Sequence, residues 1–151
     1  MPDDPSKCLS VPPCPACTFQ LSVETVNCTS WSSIESWLVT ATSHIVLVQE
    51  HHIVTDDDIA KAGQWAQQRG WKARFSPAIR TESGGTSGGV AILVRSFLGF
   101  HDPEFGAIVS GSRAISGIVQ VPGSPSILVT SVYLYDSEDL SDRHLDLLAA
   151  V

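Results

Sequence analysis

Two residues stand where strand ends could do chemistry. In "HIVLVQEHH", the apolar run Ile45 to Val48 reaches Gln49 and then a carboxylate, Glu50. Earlier, "FQLSVETVN" alternates apolar and polar residues and closes on an amide, Asn27. If both runs are strands of one layered domain, their ends gather on a common rim, where sites tend to form. A carboxylate and an amide oxygen are hard donors, the kind Mg²⁺ takes, with water or a substrate phosphate completing its shell. On spacing alone, a surface glutamate opening a loop is the ordinary reading of Glu50.

The other chemical signals are weaker. "GGTSGG" (84–89) lacks the lysine and following helix of a phosphate loop. It reads as a hairpin turn whose glycines permit positive φ or close backbone approach. It also lacks the Gly-x-Ser-x-Gly elbow of a serine hydrolase. The run Asp56, Asp57, Asp58 invites a metal reading, but acids in a helix's first turn are ordinary partners of its positive end. His51 and His52 are adjacent, so on an extended backbone they point apart and cannot chelate one ion together. They read as the start of a loop. "CPAC" (14–17) sits in a proline-rich stretch with no second ligand pair, which argues for free thiols rather than zinc.

Composition bounds these readings. The chain has 151 residues, 43% hydrophobic and 17% charged, enough for one folded domain. It has no apolar run long enough to span a membrane and no secretory h-region near its start, so we expect a soluble, intracellular protein of nucleus or cytoplasm. The net charge of −7 opposes polyanion binding. Against it stand five basic residues between 69 and 95 (Arg69, Lys72, Arg74, Arg80, Arg95), facing one acid, Glu82. Scattered surface charge remains the plainer account of them.

The elements that must position Asn27 and Glu50 follow from periodicity. Residues 1–18 carry five prolines and no period, and read as a flexible leader. A strand is expected from Phe19, with Phe19, Leu21 and Val23 in phase. "SWSSIESWLVTA" puts Trp31, Ile34, Trp37, Leu38 and Ala41 on one helical face, with Ser32 and Glu35 as a capping box. After strand 44–49, Thr55 caps a helix with the stripe Ile59, Ala62, Gly63 and Ala66, ended by Gly70. "WKARFSPAI", "VAILV", "SRAISGIVQV" and "SILVTSVYLY" read as strands, the last three in hairpin succession. "LSDRHLDLLAAV" closes as an amphipathic helix with Leu140, His144, Leu147 and Val151 in phase. The order β-α-β-α-β, then antiparallel strands, then α, predicts an α+β layered sandwich with a mixed sheet.

Four segments, "TVN", "HIVLVQE", "TSGGVAILVR" and "ILVTSVYLY", occur in this order and together resemble the endonuclease/exonuclease/phosphatase superfamily, Mg²⁺-dependent hydrolases that include abasic-site and retrotransposon endonucleases. The resemblance covers 19–151. It implies a four-layer α-β-β-α sandwich, of which this would be the N-terminal part. It further implies that Glu50 holds Mg²⁺ (or Mn²⁺), that Asn27 is the first-strand asparagine at the metal, and that Tyr133 borders the scissile phosphate as a catalytic hydrogen-bond donor. Departures are visible: "CTSW" follows Asn27, and Tyr135 stands where proline is usual. The family's Gly-Asp-Phe-Asn and Ser-Asp-His motifs do not occur.

The resulting expectation is a phosphodiester hydrolase, probing nucleic acid and above all DNA, with little activity in this chain alone. Two rivals are a non-catalytic relic or binding fragment of the same fold, and a phosphoesterase acting on a small phosphate ester. A partial sandwich is also expected to self-associate through an uncovered sheet face.

Overall fold

The computed structural model describes residues 19–103, 109–134 and 142–149. Strand β1 (Val23–Asn27) lies parallel to β2 (Ile45–Gln49), with Asn27 opposite Gln49. Helix α1 (Trp31–Leu38) connects them. Helix α2 (Asp56–Gln68) leads to β3 (Trp71–Ser76). A short hairpin of β4 (Ile79–Arg80) and β5 (Thr86–Ser87) precedes β6 (Val90–Arg95). Then come β7 (Gly99–His101), β8 (Val109–Ser110), β9 (Ala114–Gln120), β10 (Ile127–Val132) and α3 (Asp142–Ala149).

These strands make two main sheets. The first runs β1-β2-β6-β3 and is mixed; the second runs β10-β9-β7, with β8 also on β9, and is antiparallel. The strand β6 departs from the expected hairpin succession. Its residues Val90 to Val94 are all buried, so it sits centrally between β2 and β3 instead of pairing with β9. An apolar run with no polar phase belongs in a sheet covered on both faces.

Each face of the first sheet has its own core. Val46 and Val48 of β2, with Trp71, Ala91 and Leu93, pack under Ile34 and Leu38 of α1 and Ala66 of α2. Ile45, Ile92 and Val94 face the other way, onto Ile115 and Val119 of the second sheet. Alternation along β2 thus sends odd-numbered residues into the layer between the sheets. The inner faces of the two sheets close on each other. This is an α+β arrangement with α1 and α2 on the outer face of the first of two paired sheets.

Local details correct two expectations. The first strand begins at Val23, and Phe19 lies outside it, its ring beside His44 and Phe97. Helix α1 is capped by Ser30, whose hydroxyl accepts from the Ser33 N–H, so Ser32 is not the cap. Glu35 instead accepts from the Trp31 indole N–H at 2.6 Å. Ser30 is nearer the chain's turn out of β1, where extended backbone is available for a cap. Thr55 caps α2 as expected, in reciprocal contact with Asp58, and Gly70 ends it at φ 79°. The leader 1–18, Tyr135, Leu140 and Val151 lie outside the described residues, as do the side chains of His144 and Leu147. No helix among the described residues is long and apolar enough to cross a membrane.

Candidate functional site

The strand ends carrying Glu50 and Tyr133 meet. The Tyr133 hydroxyl donates to Glu50 Oε1 at 2.6 Å, joining residues 83 positions apart from different sheets. A charge-assisted contact of this kind is about twice as strong as a neutral one. Strict alternation would send Glu50 to the helix side of the sheet. Its φ of 59° breaks that alternation at the strand's end. Left-handed backbone costs a non-glycine residue about 1 kcal/mol or more, so the surroundings must hold it.

The holding group is His51, a built-in part of the fold and not merely the start of a loop. It is buried, 1% exposed. Its Nδ1 accepts from the Ile53 N–H at 3.0 Å, which leaves the proton on Nε2 to donate to the Ser76 carbonyl at 3.1 Å. Burial pushes its pKa down to about 4, so the ring is neutral near pH 7. His52 follows with φ 59° again, its Nδ1 3.1 Å from the Thr86 hydroxyl. The glycine turn completes the seat. His51 N–H donates to Gly89 O, and Gly89 N–H to Ser112 O. A Cβ on Gly89 would stand 2.7 Å from His51 Cε1, and one on Gly88 2.9 Å from Ser112 O. Close approach is therefore what these glycines supply, as the sequence suggested.

Tyr133 is fixed from its own side. Its N–H donates to Arg113 O at 2.8 Å, and the Arg113 guanidinium lies 4.6 Å from its ring centre. Arg113 also donates to Leu134 O and to the Ser87 hydroxyl. Asn27 occupies the same rim, opposite Gln49, but it is exposed and lines a hollow of about 240 Å³ beside α1 with Cys28, Ile34 and Trp37. The structure brings Glu50 and Tyr133 into contact and leaves Asn27 as a neighbour of that pair's strand. Cys28 next to it donates to Gln49 O at 3.3 Å, and burial above all raises its thiol pKa to about 11. That thiol is no nucleophile at neutral pH.

A larger cleft of about 630 Å³ opens beside the 51–55 loop, walled by Trp31, Trp65, His52 and Arg80. Of the five basic residues between 69 and 95, four work within the fold. Arg69 stacks on Trp65, and Lys72 donates to Leu98 O. Arg74 bonds Ser116 O and pairs with Asp102 at 2.9 Å. Arg95 stacks on Trp71 at 3.8 Å and donates to the Ser43 and Ala41 carbonyls. Arg80 lines the cleft, and among the described residues it has no such partner.

Among the described residues no three His, Cys, Asp or Glu side chains converge. The donors at the rim are one carboxylate, one amide and one phenol. Mg²⁺ is commonly held by one or two carboxylates plus water and phosphate, so this oxygen set fits the ion in kind, at the low end in number. No protein-family model matches the chain, and no curated protein matches it.

Proposed function

We propose that this chain carries the first part of a Mg²⁺-dependent phosphodiester-hydrolase site of the endonuclease/exonuclease/phosphatase type, directed at DNA, on one side of a four-layer sandwich. The observation that carries this reading is the Glu50–Tyr133 contact at 2.6 Å. Two residues singled out by separate motifs, 83 positions apart, meet at one rim. Glu50 is the metal carboxylate, Asn27 an auxiliary oxygen donor, and Tyr133 the donor that would turn its single O–H from Glu50 to a phosphate oxygen when substrate binds. A bound Mg²⁺ supplies charge neutralisation for the phosphate and its leaving oxygen. His51 cannot serve as the water-activating base here, because both its nitrogens are already bonded. General-base catalysis contributes about 10²–10⁴-fold, so binding without turnover is the expected behaviour of the 151 residues.

Thermal melts with and without Mg²⁺ test the reading. A ligand that binds only the native state, present at roughly 100 times its Kd, adds about 2.7 kcal/mol. The wild-type melting temperature should rise with Mg²⁺ and that of Glu50→Ala should not. Plasmid DNA should stay un-nicked under the same conditions. A melt indifferent to Mg²⁺ and Mn²⁺ would favour the second reading, a non-catalytic binding module of this fold. The observation on that side is that no three His, Cys, Asp or Glu side chains converge among the described residues.

A further inference from the structure

Under β1 and β2 the layer between the two sheets is apolar except at one point, whereas along the β3 edge Arg74 and Ser76 also enter it, bonding to the Ser116 and Gly111 carbonyls. Gln49 is in phase with Ile45 and Leu47, so its side chain enters that layer, and it is buried. A carboxamide there must be bonded or it destabilises the fold. Its Nε2 donates to Leu47 O at 3.3 Å and to the Ser131 hydroxyl at 3.2 Å. Its Oε1 accepts from the Thr25 hydroxyl at 3.1 Å. The amide's orientation is fixed by chemistry, because the Leu47 carbonyl can only accept. Ser131 passes the link on, donating to Val48 O at 3.0 Å. The main-chain carbonyl of Gln49 takes both the N–H and the thiol of Cys28.

This one residue thus ties three strand ends together: β1 two residues before Asn27, β2 one residue before Glu50, and β10 two residues before Tyr133. Nothing else among the described side chains bonds to all three strands. We propose that Gln49 is the positioning residue of this site, setting the register between β2 and β10 that brings the Glu50 carboxylate to the Tyr133 hydroxyl. The inference builds on the metal-site reading above, yet its geometric content stands apart from any metal. A carboxamide does this work where an apolar side chain would not. Apolar packing between sheets tolerates small slides, whereas directed hydrogen bonds from Thr25 to Gln49, from Gln49 to Ser131 and from Ser131 to Val48 O fix the offset of the strands.

The test must separate positioning from mere folding. Tyr135→Phe leaves Tyr133 as the sole tyrosine of the chain. In that background, tyrosine labelled with ¹³C at Cζ reports one resonance, sensitive to the phenol's hydrogen bond. Glu50→Ala sets its position when the contact is lost. Gln49→Leu alone leaves the buried Ser131 hydroxyl without its donor and can fail to fold. The double variant Gln49→Leu/Ser131→Ala makes this part of the layer apolar and keeps the experiment decisive. We expect the double variant to melt cooperatively while its Tyr133 resonance moves to the Glu50→Ala position. A resonance that stays at the wild-type position in the folded double variant overturns the inference. So does one that Glu50→Ala itself leaves unmoved. Mn²⁺ binding, followed by water-proton relaxation, gives the second arm. Loss of a residue that orients a ligand weakens metal affinity about 10–100-fold, and that loss is expected in the double variant. A wild-type chain that binds no Mn²⁺ defeats the metal-site reading, while the Tyr133 resonance still decides the role of Gln49.

Discussion

At the scale of single residues, His51 is where the site's geometry and the chain's stability meet. It is neutral, buried, and bonded through both ring nitrogens. Protonation of Nδ1 would place two donors, His51 and the Ile53 N–H, face to face. Its folded pKa of about 4 lies below the ordinary 6.5. The unfolded chain therefore binds the proton more readily between those values. The resulting stability is complete above pH 6.5, is lost as pH falls toward 4, and changes no further below that. A shift of this size corresponds to about 3 kcal/mol. Urea unfolding at a series of pH values should show that loss in the wild type, and His51→Gln should flatten it between pH 6.5 and 4. A difference curve between the two proteins that is level across this range would remove His51 from the account. The sequence could not show this role, because it depends on Ser76 and Gly89, which only the folded chain brings to the ring.

At the scale of elements, most of the frame was readable. Uninterrupted apolar runs located β2 and β6, and Thr55 with Gly70 bounded α2 at both ends. What periodicity could not reveal was partnership. The strand β6 looks like the first arm of a meander in sequence, yet joins the first sheet because both its faces are apolar. Gln49 did leave a signal, a polar residue in phase with Ile45 and Leu47 at the end of a buried strand. Glu50 was legible as a candidate only through neighbouring motifs, since its left-handed turn cancels the alternation that would aim it. The glycines divide by the same logic. Gly89, at φ 85° and in contact with His51, cannot take a side chain. Gly89→Ala should cost at least the 1–3 kcal/mol of left-handed strain, with displacement of His51 added. Gly63, inside α2, has no atom within 4 Å of an added Cβ. Gly63→Ala should stabilise by about 0.5–1 kcal/mol. Denaturant midpoints of the two variants should move in opposite directions, and a shared sign would contradict this reading of the turn.

For the whole molecule, the balance of charge decides how it can meet a polyanion. The chain is acidic, at −7, and its most basic stretch is largely spent on structure. Lys72, Arg74 and Arg95 serve as donors to main-chain carbonyls, and Arg69 covers Trp65. Stems and guanidinium groups used in this way lock strands and helix ends, and they leave little cationic surface for counterion release. Arg80, at the cleft beside the Glu50 loop, is the exception. Non-specific DNA binding at physiological salt, even for ordinary binders, has a Kd of about 10⁻⁴–10⁻⁶ M, and the logarithm of affinity falls with the logarithm of salt by about 0.9 per phosphate neutralised. This chain should therefore bind a fluorescent duplex no more tightly than that range, with a salt slope of about 1–2. Arg80→Ala should lower the slope by about 1, and Arg74→Ala should leave the slope alone while lowering the melting temperature. Anisotropy titrations at several salt concentrations give both quantities. A steep slope unchanged by Arg80→Ala would mean that a cationic surface lies elsewhere, and the DNA-facing side of the molecule would have to be sought away from the rim of Glu50 and Tyr133.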